Sequence, residues 1–270
     1  MIEHFAADWL GLREAADHAS RDPNLTARLA EWWEAEGGSR VVDLGAGAGS
    51  NCRYLAPRLG GTQTWQLVDH DPELLAVARR RTATLGTEQG IPISTRRADL
   101  NTELADCTAG AHLVTASALL DLVSARWLET LAGQCQRQGC AVLITISYNG
   151  QFSLDPPLAD DHWIREQVNA HQRGEKTVGR ALGPDALDCA APLFEQLGFQ
   201  IWRAPSDWQL SPRDEPLQAA LIEGWAEAAR QQAPDEADRV DAWLQRRRQG
   251  GPAERLRVGH EDFLALPCPD

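Results

Sequence analysis

Asp43 is followed by glycines at positions 45, 47 and 49, in the run Val41-Val42-Asp43-Leu44-Gly45-Ala46-Gly47-Ala48-Gly49. Glycine tolerates backbone conformations that side chains resist, so a turn of this kind lets N–H groups come close to a ligand. The helical pattern that begins at Ser50, with Asn51 in its first turn, would aim its positive end at the same spot, and the layout suits a nucleotide-like ligand. Two more acids could join it. Asp69 ends the apolar run Trp65-Gln66-Leu67-Val68, and Asp99-Leu100 closes Ile91 to Ala98. Asp71, by contrast, precedes Pro72 and a helical pattern, the signature of an N-cap. Asp69, with His70 beside it, is therefore the better ligand candidate.

These residues need strands to carry them. Period-2 and continuous apolar runs predict strands over 40–44, 64–68, 91–98, 111–116 and 140–147, alternating with helical patterns. That alternation predicts an α/β, doubly wound, mostly parallel sheet with its carboxyl ends along one edge. Asp43 with Gly45, Asp69, Asp99, Ala116 with Ser117, and Ser147 with Tyr148 would meet on that edge. Further strands are predicted over 199–204 and 262–266. We expect one domain over 1–270: N-terminal helices over 1–38, a core over 39–147, a polar, Gly/Pro-punctuated lid over 148–183, and a C-terminal part over 184–270. The last carries a helical insertion at about 209–257.

The 270 residues carry 26 basic and 39 acidic side chains, a net charge of −13. Such a chain repels a phosphate backbone, which argues against nucleic-acid partners. No apolar run approaches the ~20 residues of a membrane span, and no signal-like start is present. The six cysteines form no C-x-x-C pair, so we expect buried thiols, no metal site and a cytoplasmic protein.

The glycines leave three ligands to compare. A P-loop needs Lys-Ser/Thr after its last glycine, and none is present. A dinucleotide fingerprint wants a third small residue where this chain has Ser50. The spacing here is G-x-G-x-G, two residues after an acid. In this the stretch resembles the class I, Rossmann-like S-adenosylmethionine-dependent methyltransferases, and the resemblance runs over about residues 40–147. It implies a seven-stranded sheet with an antiparallel last strand, S-adenosylmethionine as cofactor and S-adenosylhomocysteine as product. It further implies a donor site made of Asp43, Gly45, Ala46, Gly47, Asn51, Asp69, His70, Asp99, Leu100 and Ser117. Asp69 would hold the ribose hydroxyls, Asp99 the adenine amino group with Leu100 against the ring, and Asp43 the methionine amino group.

The family's Asn/Asp-Pro-Pro-Tyr/Phe motif is replaced here by Ala116-Ser117-Ala118-Leu119-Leu120-Asp121. With the acidic charge, this points to a small-molecule acceptor rather than a nucleic-acid base. The insertions would then form a helical lid over the acceptor. Asp121, Tyr148 and His171 are the candidate catalytic residues, and Asn149, Arg180, Trp208, Trp225 and His260 the candidate acceptor contacts. Other readings are a donor-binding protein without catalysis and a protein or RNA methyltransferase. A monomer or a homodimer fits equally.

Overall fold

The structure is a computed structural model that describes residues 7–176 and 179–268. Residues 1–6 of the predicted N-terminal helices and 177–178 of the predicted lid lie outside the described residues. Two helices come first, α1 (Ala7–Ser20) and α2 (Pro23–Ala35). The core follows as β1 (Arg40–Leu44), α3 (Ser50–Leu59), β2 (Thr64–Asp69), α4 (Pro72–Arg81), α5 (Ala83–Gln89), β3 (Ile93–Arg97), α6 (Leu104–Thr108), β4 (Leu113–Ser117), α7 (Ala125–Gln138) and β5 (Ala141–Asp155). Next come α8 (Asp161–Gln172), β6 (Glu175–Lys176), β7 (Gly179–Arg180), α9 (Ala186–Gln196), β8 (Phe199–Pro205) and β9 (Trp208–Leu210). The chain ends with α10 (Glu215–Gln232), α11 (Ala237–Gln249) and β10 (Arg255–Pro267).

Local chemistry sets the helix starts. Asp22 caps α2, accepting from the Leu25 N–H at 2.8 Å, with Pro23 in the first turn. Asp71 caps α4 in the way its Asp-Pro pair predicts, accepting from the Glu73 N–H at 2.7 Å. Ser124 caps α7 through the Trp127 N–H.

The main sheet has the order β3-β2-β1-β4-β5-β10-β8. Strands β1 to β5 are mutually parallel, and β10 runs antiparallel to both its neighbours. Chain order reverses between β1 and β4, and in open α/β sheets the ligand crevice lies outside such a switch point. One face of the sheet buries Val42, Val114 and Ile144 under α7 and α9. The other buries Val41, Leu67 and Leu143 under α2, α3 and α4.

The structure corrects the expected seven strands to eight, since β9 pairs with β10, Trp208 opposite Val258. It also corrects two boundaries. β5 does not stop at Ser147 but continues to Asp155, and β10 begins at Arg255, opposite it. Residues 148–155 are therefore strand rather than lid, and 255–257 are strand rather than helical insertion. The reason is a period-2 pattern hidden among polar residues: Phe152 and Leu154 are buried while Gln151 and Ser153 are exposed. On the partner strand Leu256 and Val258 are buried and Arg255 and Arg257 are exposed. This long ribbon forms the floor of a third apolar cluster, in which Ile164, Leu221, Trp225 and Trp243 of α8, α10 and α11 pack on Phe152, Trp208 and Val258.

A bulge marks where the ribbon leaves the sheet. Ile146 has φ 54°, a conformation that a β-branched side chain resists. Asp262 holds it there: Oδ1 accepts from the Ile146 N–H at 2.8 Å, and Oδ2 accepts from the Asp22 N–H at 3.1 Å. One buried carboxylate thus ties the last strand to the junction of α1 and α2. All six cysteines are free; Cys52, Cys107, Cys135 and Cys140 are buried as expected, whereas Cys189 and Cys268 are exposed, against the expectation. No helix among the described residues is long and apolar enough to cross a membrane.

Candidate donor site

A cavity of about 600 Å³ opens at the carboxyl edge of the sheet, beside the β1/β4 switch point. The glycine turn forms its floor. Ala46 donates to the Val68 carbonyl at 3.0 Å, and the Gly49 N–H to the Ala46 carbonyl at 2.8 Å. Gly47 has φ 50°, and a Cβ placed on it would stand 2.9 Å from Leu10 Cδ1. The glycine therefore serves two ends: it makes the turn, and it lets α1 lie directly on it.

Asp69 locks the turn from across the switch point. Its Oδ2 accepts from the Gly47 N–H at 2.8 Å and its Oδ1 from the Asp71 N–H at 2.9 Å. His70 Nδ1 stands 3.2 Å from that Oδ1. Asp43 is fully buried, and its Oδ1 accepts from Asn51 Nδ2 at 2.7 Å. Burial pushes its carboxyl up to about 7, against the Asn51 hydrogen bond and the nearby Arg21 charge, with Asp69 adding to the rise. Its Oδ2 lacks a hydrogen-bond partner. Asp99 Oδ1 accepts from the Asn101 N–H at 2.9 Å, and Trp127 Nε1 donates to the Leu100 carbonyl at 2.9 Å. Glu103, which also lines the cavity, accepts from the Asp99 N–H at 3.0 Å, so this part of the wall carries two acids beside the apolar Leu100 and Trp127.

All ten residues anticipated for the donor line this one cavity: Asp43, Gly45, Ala46, Gly47, Asn51, Asp69, His70, Asp99, Leu100 and Ser117. The match to known proteins follows the same residues. The family described as "Methyltransferase domain" matches residues 41–138. Over that stretch the chain is similar to the methyltransferase domain. The chain shares its fold with a cyclopropane-fatty-acyl-phospholipid synthase-like protein from Lactobacillus casei, at 17% identity and TM-score 0.57, covering 94% of this chain and 98% of that one. A S-adenosylmethionine-dependent methyltransferase from Geobacter sulfurreducens, crystallised with S-adenosyl-L-homocysteine, is 19% identical with TM-score 0.46, covering 97% of this chain and 99% of that one. No curated protein matches the sequence.

What covers the cavity is α1, not the insertions. Leu10, Arg13 and Asp17 line it, and none of the described residues of 148–183 or 209–257 does. The segments expected to form a lid over the acceptor therefore do not roof the donor cavity. Arg13 binds Asp17 through Nε at 2.9 Å and Nη2 at 3.0 Å, and Asp17 Oδ1 also accepts from Trp208 Nε1 at 3.1 Å. Glu14 accepts from Arg53 Nε at 2.8 Å, and His18 Nε2 lies 3.0 Å from Ser50 Oγ. The sequence hid this role. Arg13 and Asp17 stand four apart on a helix, the spacing of an ordinary surface ion pair, and Asp17 is the helix's one buried residue.

The eight candidates for catalysis and acceptor contact all lie off the cavity wall. Asp121 sits on the short turn Leu120–Leu122, whose last residue does reach the wall. Tyr148 donates to Asn169 Oδ1 at 3.0 Å, and burial pushes its phenol up. His171 Nε2 meets Gln231 Oε1 at 2.9 Å, joining α8 to α10. Asn149 accepts from the Gln151 N–H, and Arg180 donates to the Arg173 carbonyl at the surface. Trp208 braces Asp17. His260 is buried between Trp208 and Tyr148, with ring centroids 4.8 Å and 6.2 Å away, and burial lowers its pKa to about 3, so it is neutral. Trp225 stacks on Phe152 at 3.8 Å. Of the eight, Tyr148, Trp208 and Trp225 pack in the third apolar cluster, whose floor is the ribbon. Trp225→Phe is accordingly expected to cost on the order of 1 kcal/mol of stability from lost buried area. Denaturant unfolding and donor titration check it, and donor affinity should not change.

Proposed function

We propose that this chain moves a methyl group from S-adenosylmethionine to a small-molecule acceptor by in-line displacement. One observation carries the reading: the glycine turn and the acids of three successive strand ends share a single cavity roofed by α1. The residues suit the donor's chemistry group by group. Asp69 would accept from the ribose hydroxyls, and Asp99 from the adenine amino group, with Leu100 and Trp127 against the ring. The unpartnered Asp43 Oδ2 suits an ammonium. Arg13 of the α1 roof, a cation on the wall, suits the methionine carboxylate.

The donor, when bound, supplies a methyl group already activated by the sulfonium charge. The chain's task is then to align an acceptor and exclude water, which supplies proximity and orientation. The α1 roof serves both ends. A roofed cavity in a protein of net charge −13 favours a small acceptor over a phosphate-bearing polymer.

Calorimetry with S-adenosylmethionine and S-adenosylhomocysteine tests the donor assignment, and failure to bind either one defeats it. Transfer of labelled methyl from the donor in cell extract tests the acceptor. Label is expected in the small-molecule fraction. Label in the protein or RNA fraction overturns the acceptor class, and binding without any labelled product overturns catalysis.

A further inference from the structure

The chain passes from α1 to α2 through Arg21, whose side chain points inward. The residue is 5% exposed. Its guanidinium lies over the Tyr54 ring, 4.4 Å from the centroid. Nη1 donates to Asn51 Oδ1 at 2.8 Å, and Asn51 Nδ2 donates onward to Asp43 Oδ1 at 2.7 Å and to Thr115 Oγ1 at 3.1 Å. The relay fixes the amide's orientation, because a guanidinium only donates and a carboxylate only accepts. On its other side Arg21 Nε stands 3.9 Å from Asp262 Oδ2. Nε and Nη2 of Arg21 and Oδ2 of Asp43 have no hydrogen-bond partner despite burial.

A buried guanidinium is costly to hold, and its place between two buried carboxylates is what offsets the cost. The same arrangement links three parts of the molecule. Arg21 belongs to the roof, Asn51 and Asp43 to the donor cavity, and Asp262 to the strand that anchors the α1–α2 junction. We propose that Arg21 is the positioning residue of the donor site: through Asn51 it holds the Asp43 carboxylate and its charge in place, and it ties that acid to the seating of the α1 roof. The proposal rests on the donor reading of the cavity.

Two consequences follow from the geometry. The first is electrostatic. Asp43 faces Asn51 and Cys52 of α3, Asp69 of β2 and Arg21. Arg21 in turn faces Asp262 of β10, Tyr54 of α3, and Asp17 and His18 of α1, the last held below its ordinary value chiefly by burial. Among these groups Arg21 is the cation, so its removal leaves Asp43 with Asp69 and burial, both of which disfavour the charged form. The second is mechanical. A ligand that favours the charged form of Asp43 strengthens the hold on Arg21, and by linkage the hold on the junction.

The test titrates the full-length protein with S-adenosylhomocysteine at steps from pH 5.5 to 7.5, for wild type, Arg21→Gln and Arg21→Lys. Wild-type affinity should climb with pH. Arg21→Gln should bind about 10-fold more weakly at pH 7 and climb about one pH unit later. Arg21→Lys should weaken binding while climbing where wild type does. A packing role alone weakens binding and leaves the climb in place, so coincident profiles for Arg21→Gln and wild type overturn the proposal. So does an Arg21→Lys profile displaced like that of Arg21→Gln. Should Arg21→Gln not fold, hydrogen exchange on wild type decides. The ligand should protect residues 22–26, which do not line the cavity. Protection of the glycine turn without protection there overturns the proposal. Failure of wild type to bind at any pH is a different outcome, which removes the donor reading itself.

Discussion

Asp69→Ala should weaken S-adenosylhomocysteine binding about 100-fold. The ribose presents two hydroxyls, and each hydrogen bond to a carboxylate contributes about 1.5–3 kcal/mol. The lower figure, taken twice, is already about 3 kcal/mol, or about two factors of ten in affinity. The structure adds a reason for the loss to reach that size. The same carboxylate accepts from the Gly47 and Asp71 N–H groups. Its removal therefore loosens the glycine turn as well as the ribose contact. Calorimetry gives the affinity, and thermal unfolding of the same sample shows whether the variant is folded. A folded Asp69→Ala protein that binds within about 5-fold of wild type would remove the ribose role from Asp69.

The second large effect is a dependence of binding on pH. Burial, partly offset by Asn51 and Arg21, sets the Asp43 carboxyl at about 7. A donor that carries an ammonium favours the ionised acid, so binding expels a proton. Affinity should then rise about tenfold per pH unit below 7 and level off above it. It should turn down again near pH 8 as the ligand's own amine loses its proton. The free protein behaves in the opposite sense. Its folded-state pKa for Asp43 lies above the ordinary value of 3.8. Between about pH 4 and 7 the folded state thus keeps a proton that the unfolded state gives up, and this group's contribution to stability falls as pH rises. Thermal unfolding with and without S-adenosylhomocysteine should show a larger ligand-induced gain at pH 7 than at pH 5.5. Asp43→Asn should flatten that difference. A pH-independent gain in wild type would contradict the assignment of the ammonium to Asp43.

Both effects arise where local sequence and fold agree. The donor cavity was legible because each of its parts is coded within a few residues. An acid and alternating glycines end one strand, an acid ends the next, and an Asp-Pro pair beside it is already committed to capping a helix. Each rule is short-range, and the parallel sheet then carries all the strand ends to one edge. The acceptor side was not legible. Tyr148, His171, Trp208, Trp225 and His260 are residue types that can do chemistry, and sequence cannot tell a reactive aromatic or histidine from a packed one. Their environment is decided by the β5–β10 ribbon, whose strands are about a hundred residues apart in the chain, as with Asp155 and Arg255.

The residues 40–147, read alone, determined a Rossmann-like core, its order of strands and helices, and a cavity at its carboxyl edge with three acids and a glycine turn. Hydrophobic period, turn residues and helix caps are local, so they survive without knowledge of the fold. Tertiary structure alone decided what covers that cavity. Arg13 and Asp17 of α1 read as a surface ion pair, and Arg21 as an ordinary basic residue before a helix. Only their packing against Trp208, Asn51 and Asp262 makes the first two a roof and the third a buried link to Asp43. Such roles depend on contacts between segments as much as 240 residues apart, as in the Asp22–Asp262 hydrogen bond, and no spacing rule reaches that far.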